Sequence, residues 1–124
     1  MYIEKIIDED GEGHSWDVTI SDGEHKLLCF AGFEINKNSR NIKLDCYFAE
    51  EIKKTEKTEF SIEKHGISCY EYRIVAKVTD AENGLLVVYG FEFILDDNLP
   101  QNINNGNFIE FICLRMDCHT LEIN

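Results

Sequence analysis

The chain has 124 residues, with 24 Asp plus Glu against 12 Lys plus Arg and a formal net charge of -12 at pH 7. At this length folding hides roughly two thirds of the unfolded surface, and 44% hydrophobic content exceeds what a disordered chain carries, so one globular domain is expected without a metal or disulfide staple. The acidity makes nucleic acid an unfavoured partner and argues against an anionic membrane surface, because both repel a negative field.

No run of about 18 apolar residues occurs, and the start Met1-Tyr2-Ile3-Glu4-Lys5 lacks the regions of a signal peptide, so a cytoplasmic protein is expected. Five cysteines, Cys29, Cys46, Cys69, Cys113 and Cys118, are an odd number without close paired spacing. They read as reduced core thiols rather than a disulfide framework.

In chain order, Trp16, Val18 and Ile20 alternate with Asp17, Thr19 and Ser21, the period-two pattern of a strand with one face inward. Ser21-Asp22-Gly23-Glu24 supplies a turn, and His25 to Ala31 returns as the second arm of a hairpin. A polar stretch over 36–41 leads to Ile42, Leu44, Cys46 and Phe48, alternating with Lys43, Asp45 and Tyr47. The Lys and Glu content of Glu50 to Glu63 predicts a short helix near residues 50–58, followed by a short strand at Phe60-Ser61-Ile62.

Ile67 to Thr79 reads as one long strand, turned by Asp80-Ala81-Glu82-Asn83-Gly84, and Leu85 to Leu95 as its partner, with Gly90 marking a bulge or bend. A loop with the sole proline, Pro100, precedes a strand over Asn107 to Met116, and Asp117 to Asn124 forms a tail that pairs at an edge. Seven or eight strands with at most one short helix predict an all-β single domain. The architecture is a small antiparallel β-barrel (OB-like) or a sandwich, and two strands longer than about ten residues, able to bend at a central Gly, favour the barrel.

Tyr89-Gly90-Phe91-Glu92-Phe93-Ile94-Leu95, then Leu99-Pro100, then Asn105-Gly106-Asn107-Phe108-Ile109-Glu110-Phe111 resembles the closing strands of OB-fold-type barrels. That resemblance covers about a quarter of the chain and implies architecture, not activity.

Candidate chemistry is sparse. Cys113, Cys118 and His119 form the one local thiol and imidazole cluster, but structural zinc needs a second pair, so no metal and no cofactor are expected. His14, His25, His65 and His119 read as solvated residues at turns or chain ends. Glu92 and Glu110 stand inside apolar strands. No phosphate loop, dinucleotide fingerprint or hydrolase turn appears, so catalysis is not expected. Tyr70, Tyr72, Tyr89, Phe91, Phe93 and Phe111 offer rings for an OB-type module binding single-stranded nucleic acid or a small ligand, the alternative function.

Charge is the informative feature. Met1 to Asn36 holds nine acids against two bases, Lys37 to Gly66 six against seven, and Ile67 to Asn124 nine against three. The acids gather in turns, at Asp8, Glu9, Asp10 and Glu12, at Asp22 and Glu24, at Asp80 and Glu82, and at Asp96 and Asp97. Such loops steer association with a basic partner. In size and acidity the chain is similar to immunity proteins of bacterial toxin systems. That resemblance implies a non-enzymatic protein whose acidic loops block the nucleic-acid surface of a basic toxin nuclease, with Lys53, Lys54 and Lys57 as the one basic exception.

Overall fold

A strand buried on one face alternates inward and outward side chains, and the computed structural model, which describes residues 1–121, shows that alternation in most of its elements. Nine strands follow one another: β1 (Tyr2–Asp8), β2 (Trp16–Ser21), β3 (Lys26–Ala31), β4 (Ile42–Lys54), β5 (Ser61–Lys64), β6 (Tyr72–Asp80), β7 (Leu85–Val88), β8 (Phe91–Leu95) and β9 (Phe108–Thr120). Among the described residues there is no helix.

Five strands close on themselves in the order β4-β8-β7-β6-β9, because β9 pairs antiparallel with both β4 and β6. The result is a small closed all-β barrel, compatible with an OB-like fold. The barrel is not wholly antiparallel, since β4 runs parallel to β8. β5 extends the sheet beyond β6, and the meander β1-β2-β3 joins through a parallel pairing of Phe30 with Asp117.

The barrel interior is filled by Phe91, Phe93, Phe111, Leu86, Ile74, Ile109 and Leu44, and Val18, Ile20, Leu27 and Cys29 of the meander join the same cluster. Each stands at alternate positions of its strand, so one apolar face per strand suffices to build a continuous core.

Four sequence expectations change. Residues 50–54 belong to β4 rather than a helix, with Lys53 opposite Glu110 and Lys54 opposite Ile109 across a bulge. Ile52 is the one apolar side chain between Glu50 and Glu59, so no helical stripe could be buried, whereas the β9 ladder offers backbone partners. The long strand from Ile67 begins only at Tyr72, because the Glu71 N–H donates to the Ser68 carbonyl and turns the chain.

Leu85 to Leu95 is a hairpin, β7 and β8 meeting at a Tyr89-Gly90 corner with Val88 opposite Phe91. Asp117 to Thr120 completes β9 in the middle of the sheet rather than at an edge; the end of that tail, 122–124, lies outside the described residues. β1 went unread because Ile3 is its one buried residue, leaving no alternation to detect.

The meander is strutted against the barrel. Asp22 Oδ2 accepts from the Gly90 N–H at 3.0 Å, the His25 ring stacks on Tyr89 with centroids 3.7 Å apart, and the Tyr89 hydroxyl donates to the Phe60 carbonyl. Across the seam the Tyr72 hydroxyl donates to the Leu28 carbonyl and accepts from the Leu28 N–H. A Cβ at Gly90 would lie 2.7 Å from the Asp22 Cβ, an atom close to its backbone and unable to swing away. Gly90→Ala is therefore expected to destabilise by about 1–3 kcal/mol in denaturant unfolding; parental stability would show that the strut is not close-packed.

Candidate functional site

The ten acids nominated from sequence divide into three groups. Asp8 accepts from the Gly11 and Gly13 N–H groups, and Asp10 accepts from the Glu12 N–H with its second oxygen on the His14 ring. Glu9 accepts from Ser15 and meets the Tyr70 hydroxyl. These carboxylates organise their own loop; Asp10, Glu12 and His14 place ligand atoms within 4.8 Å of one another, all exposed.

Asp22 and Glu24 lie at the opposite end of β2, six residues or roughly 20 Å away. The Asp22 side chain is only 9% exposed. Burial pushes its carboxyl up, but donations from the His25, Glu24 and Gly90 N–H groups and the His25 ring outweigh that and hold it far below the usual carboxylate range.

Asp80, Glu82, Asp96 and Asp97 come together. The Leu95 N–H donates to the Gly84 carbonyl at 2.8 Å, and Glu82, Asp96 and Asp97 line one polar crevice. Asp80 binds Asn83. The Asp96 N–H donates to the Cys46 carbonyl, and Asp97 Oδ2 accepts from the Ala49 N–H at 3.2 Å, so the acidic loop runs alongside Cys46 to Ala49 of β4.

Beside that loop β4 presents aromatic rings. Phe48 takes φ 56, a left-handed conformation that a bulky residue rarely adopts, and its side chain stands 61% exposed, 6.2 Å from the Tyr47 ring. Phe33, in the β3–β4 connection, is 75% exposed and 6.5 Å from the His119 ring. A pocket of about 400 Å³ lies beside Phe33, lined also by Ile35, Lys43, Asp45, Tyr47 and His119.

Asp45 and Asp117 face each other across the β4–β9 ladder, both outward from the core and both buried. Like charges directly opposite repel. Arg115 relieves Asp117 with two bonds of 2.7 and 3.0 Å, and its guanidinium lies 4.9 Å from the Phe30 ring centre and 5.4 Å from that of Tyr47. Asp45 has looser company. Lys43 Nζ is 3.8 Å from Oδ1, and His119 Nε2 is 3.1 Å from Oδ2 but not aligned to donate, leaving Oδ2 without a hydrogen bond among the described residues.

Burial pushes both carboxyls up. Lys43 and His119 offset it at Asp45, and Arg115 at Asp117.

No protein family, curated protein or solved structure matches the chain.

Sequence reasoning gave Asp45 no role beyond its place in the alternation of its strand, and read His119, weighed with Cys113 and Cys118, as a solvated residue at a turn or chain end. A signal existed in Leu44-Asp45-Cys46 and Met116-Asp117-Cys118, two apolar-acid-apolar triplets of the form noticed at Glu92 and Glu110. Of those two, Glu92 is exposed, whereas Glu110 is buried and held below its usual range by Lys57 at 2.7 Å, with Lys53 at 3.8 Å. Two of the three basic residues singled out in sequence are thus directed at an internal acid.

Tyr72, Phe91, Phe93 and Phe111 are core, so four of the six rings considered for base stacking are turned inward. Cys29, Cys46, Cys113 and Cys118 are buried thiols and Cys69 is exposed. Among the described residues, no helix is long and apolar enough to cross a membrane.

The raised Asp45 carboxyl fixes the sign of a pH effect. The folded state holds that proton more tightly than the unfolded chain, so Asp45 opposes folding above its folded pKa, and the opposition fades as pH falls through it. Asp45→Asn is expected to melt at the same or a higher temperature than the parent at pH 7, with any gain vanishing toward about pH 4. A variant that melts well below the parent at pH 7 would show that Lys43 and His119 outweigh burial.

Proposed function

We propose that the chain is a non-enzymatic acidic binding protein that neutralises a basic protein partner, with an immunity protein blocking a toxin nuclease as the specific form. The observation that supports this reading is the exposed Phe33 and Phe48 beside Tyr47, flanked by Asp96 and Asp97. Interfaces concentrate affinity in a few aromatic anchors surrounded by polar groups, and strained backbone marks functional positions more often than inert ones.

The two components act on different steps. Covering a Phe ring contributes about 1.5–3 kcal/mol, which slows dissociation. Surface acids contribute little to affinity but raise the encounter rate by roughly 10- to 1,000-fold at low salt. Within this reading the Asp96–Asp97 loop is the binding loop, whereas Asp22 and the Asp8 loop shape the molecule and its field.

The partner to test is a basic nuclease domain encoded beside this chain. Co-expression is expected to protect the host, and Phe48→Ala to weaken association about 10- to 100-fold, chiefly through the off-rate. Glu82→Lys with Asp96→Lys is expected to slow association at low salt and to lose that effect at high salt. Absence of protection with every basic partner, or low-salt binding of single-stranded oligonucleotides in preference to protein, would overturn the reading.

A further inference from the structure

We infer that the pocket at Asp45 receives an arginine side chain of the basic partner, its guanidinium paired with the Asp45 carboxylate and packed against the Phe33 ring. The inference rests on the reading of the chain as the binder of a basic protein and names what enters one part of its surface.

The chain supplies its own precedent one strand away. Asp117 and Asp45 are register partners on the same face, equally withdrawn from water. Asp117 holds a guanidinium by a two-bond fork, and that guanidinium lies over Phe30 and Tyr47. Asp45 has the same buried carboxylate and a neighbouring exposed ring, Phe33, but no fork, and its Oδ2 accepts no hydrogen bond among the described residues. A buried carboxylate oxygen without a donor loses hydration with nothing in return. A guanidinium delivers two coplanar donors together with a flat face that stacks on an aromatic ring, which an ammonium does not.

Asp45 Oδ2 is closed to solvent as it stands, so entry of the guanidinium requires the groups facing it to turn aside. Lys43, on the same strand, is 3.8 Å away with its side chain 40% exposed, so it can turn outward to water. His119, on β9, has its Nε2 3.1 Å from Oδ2 and its side chain 28% exposed, so it too must turn aside. Asp96 adds negative potential at Asp45, and Asp117 and Asp45 repel each other. The pocket's volume of about 400 Å³ accommodates a guanidinium and part of its stem.

The test uses the full chain and N-ethylguanidinium as probe, followed by backbone amide NMR shifts. Saturable shifts are expected at Phe33 to Ile35, Asp45 to Tyr47 and His119, at least about tenfold weaker in Asp45→Asn. Binding of ethylammonium is expected to be several-fold weaker than that of the guanidinium. Phe33→Ala, an exposed substitution that leaves the core intact, provides a second variant and is expected to weaken the probe several-fold.

No saturable shift, shifts unchanged in both variants, or equal response to ethylammonium would overturn the inference. Failure of the probe while a basic partner still binds removes the arginine pocket alone. Probe binding without any basic partner leaves the pocket and removes the function.

Discussion

A β-strand has two hydrogen-bonding edges, and β9 has three neighbours. It pairs with β4 along one edge, and along the other it pairs first with β6, over Phe108 to Cys113, and then meets β3 at Asp117. The handover closes the barrel and attaches the meander at once. Tyr72 bonds the Leu28 backbone across the seam, and the Met116 N–H donates to the Tyr70 carbonyl where β6 has departed. Loss of β9 would open the barrel and remove the strand pairing that joins the meander to it, leaving the contacts of Asp22, His25 and Leu28 to hold β1 to β3.

The same geometry explains why acids are buried on an outward face. Asp17, Phe30, Asp117 and Asp45 form one register row across four strands. The Tyr70 hydroxyl meets Asp17 and Glu9, and the segment after β3 returns over the sheet, with Ile35 buried and the Asn36 N–H bonded to Thr120. A row that would be solvated on a plain barrel is thereby withdrawn from water. Burial and Glu9 together raise the Asp17 carboxyl. Three carboxyls in one row thus have raised affinity for a proton, and of the three Asp45 alone lines the pocket beside Phe33.

Period-two alternation made β2, the first half of β4 and the inward face of β6 legible in the sequence, because each buries one face, whereas β3 was legible as an apolar run returning from the Asp22-Gly23 turn. Where apolar residues also occupy the less buried face, as in β7 and β8, the apolar run concealed the Tyr89-Gly90 corner, and where a single residue is buried, as Ile3 in β1, no pattern existed. The acidic loops were legible as charge, but not as neighbours: proximity of Asp96 to Cys46, or separation of Asp8 from Asp22, follows from pairing order. Asp45 stayed hidden because a polar residue at an outward strand position ordinarily meets water. Its burial comes from the chain returning over it, a tertiary event that local pattern does not encode.

The acids of the Asp8 loop and of Asp22 are bound up in holding turns, whereas Asp96 and Asp97 lie beside Cys46 to Ala49 of β4, where Phe48 is 61% exposed. The central claim is therefore one of place, and amide hydrogen exchange of the chain with and without its basic partner tests it most directly. Slowed exchange at Phe33 to Ile35, Tyr47 to Ala49 and Asp96 to Asn98 is the result expected. Protection confined to Asp8 to His14, or to the Lys53 to Lys57 side of the barrel, would contradict the account.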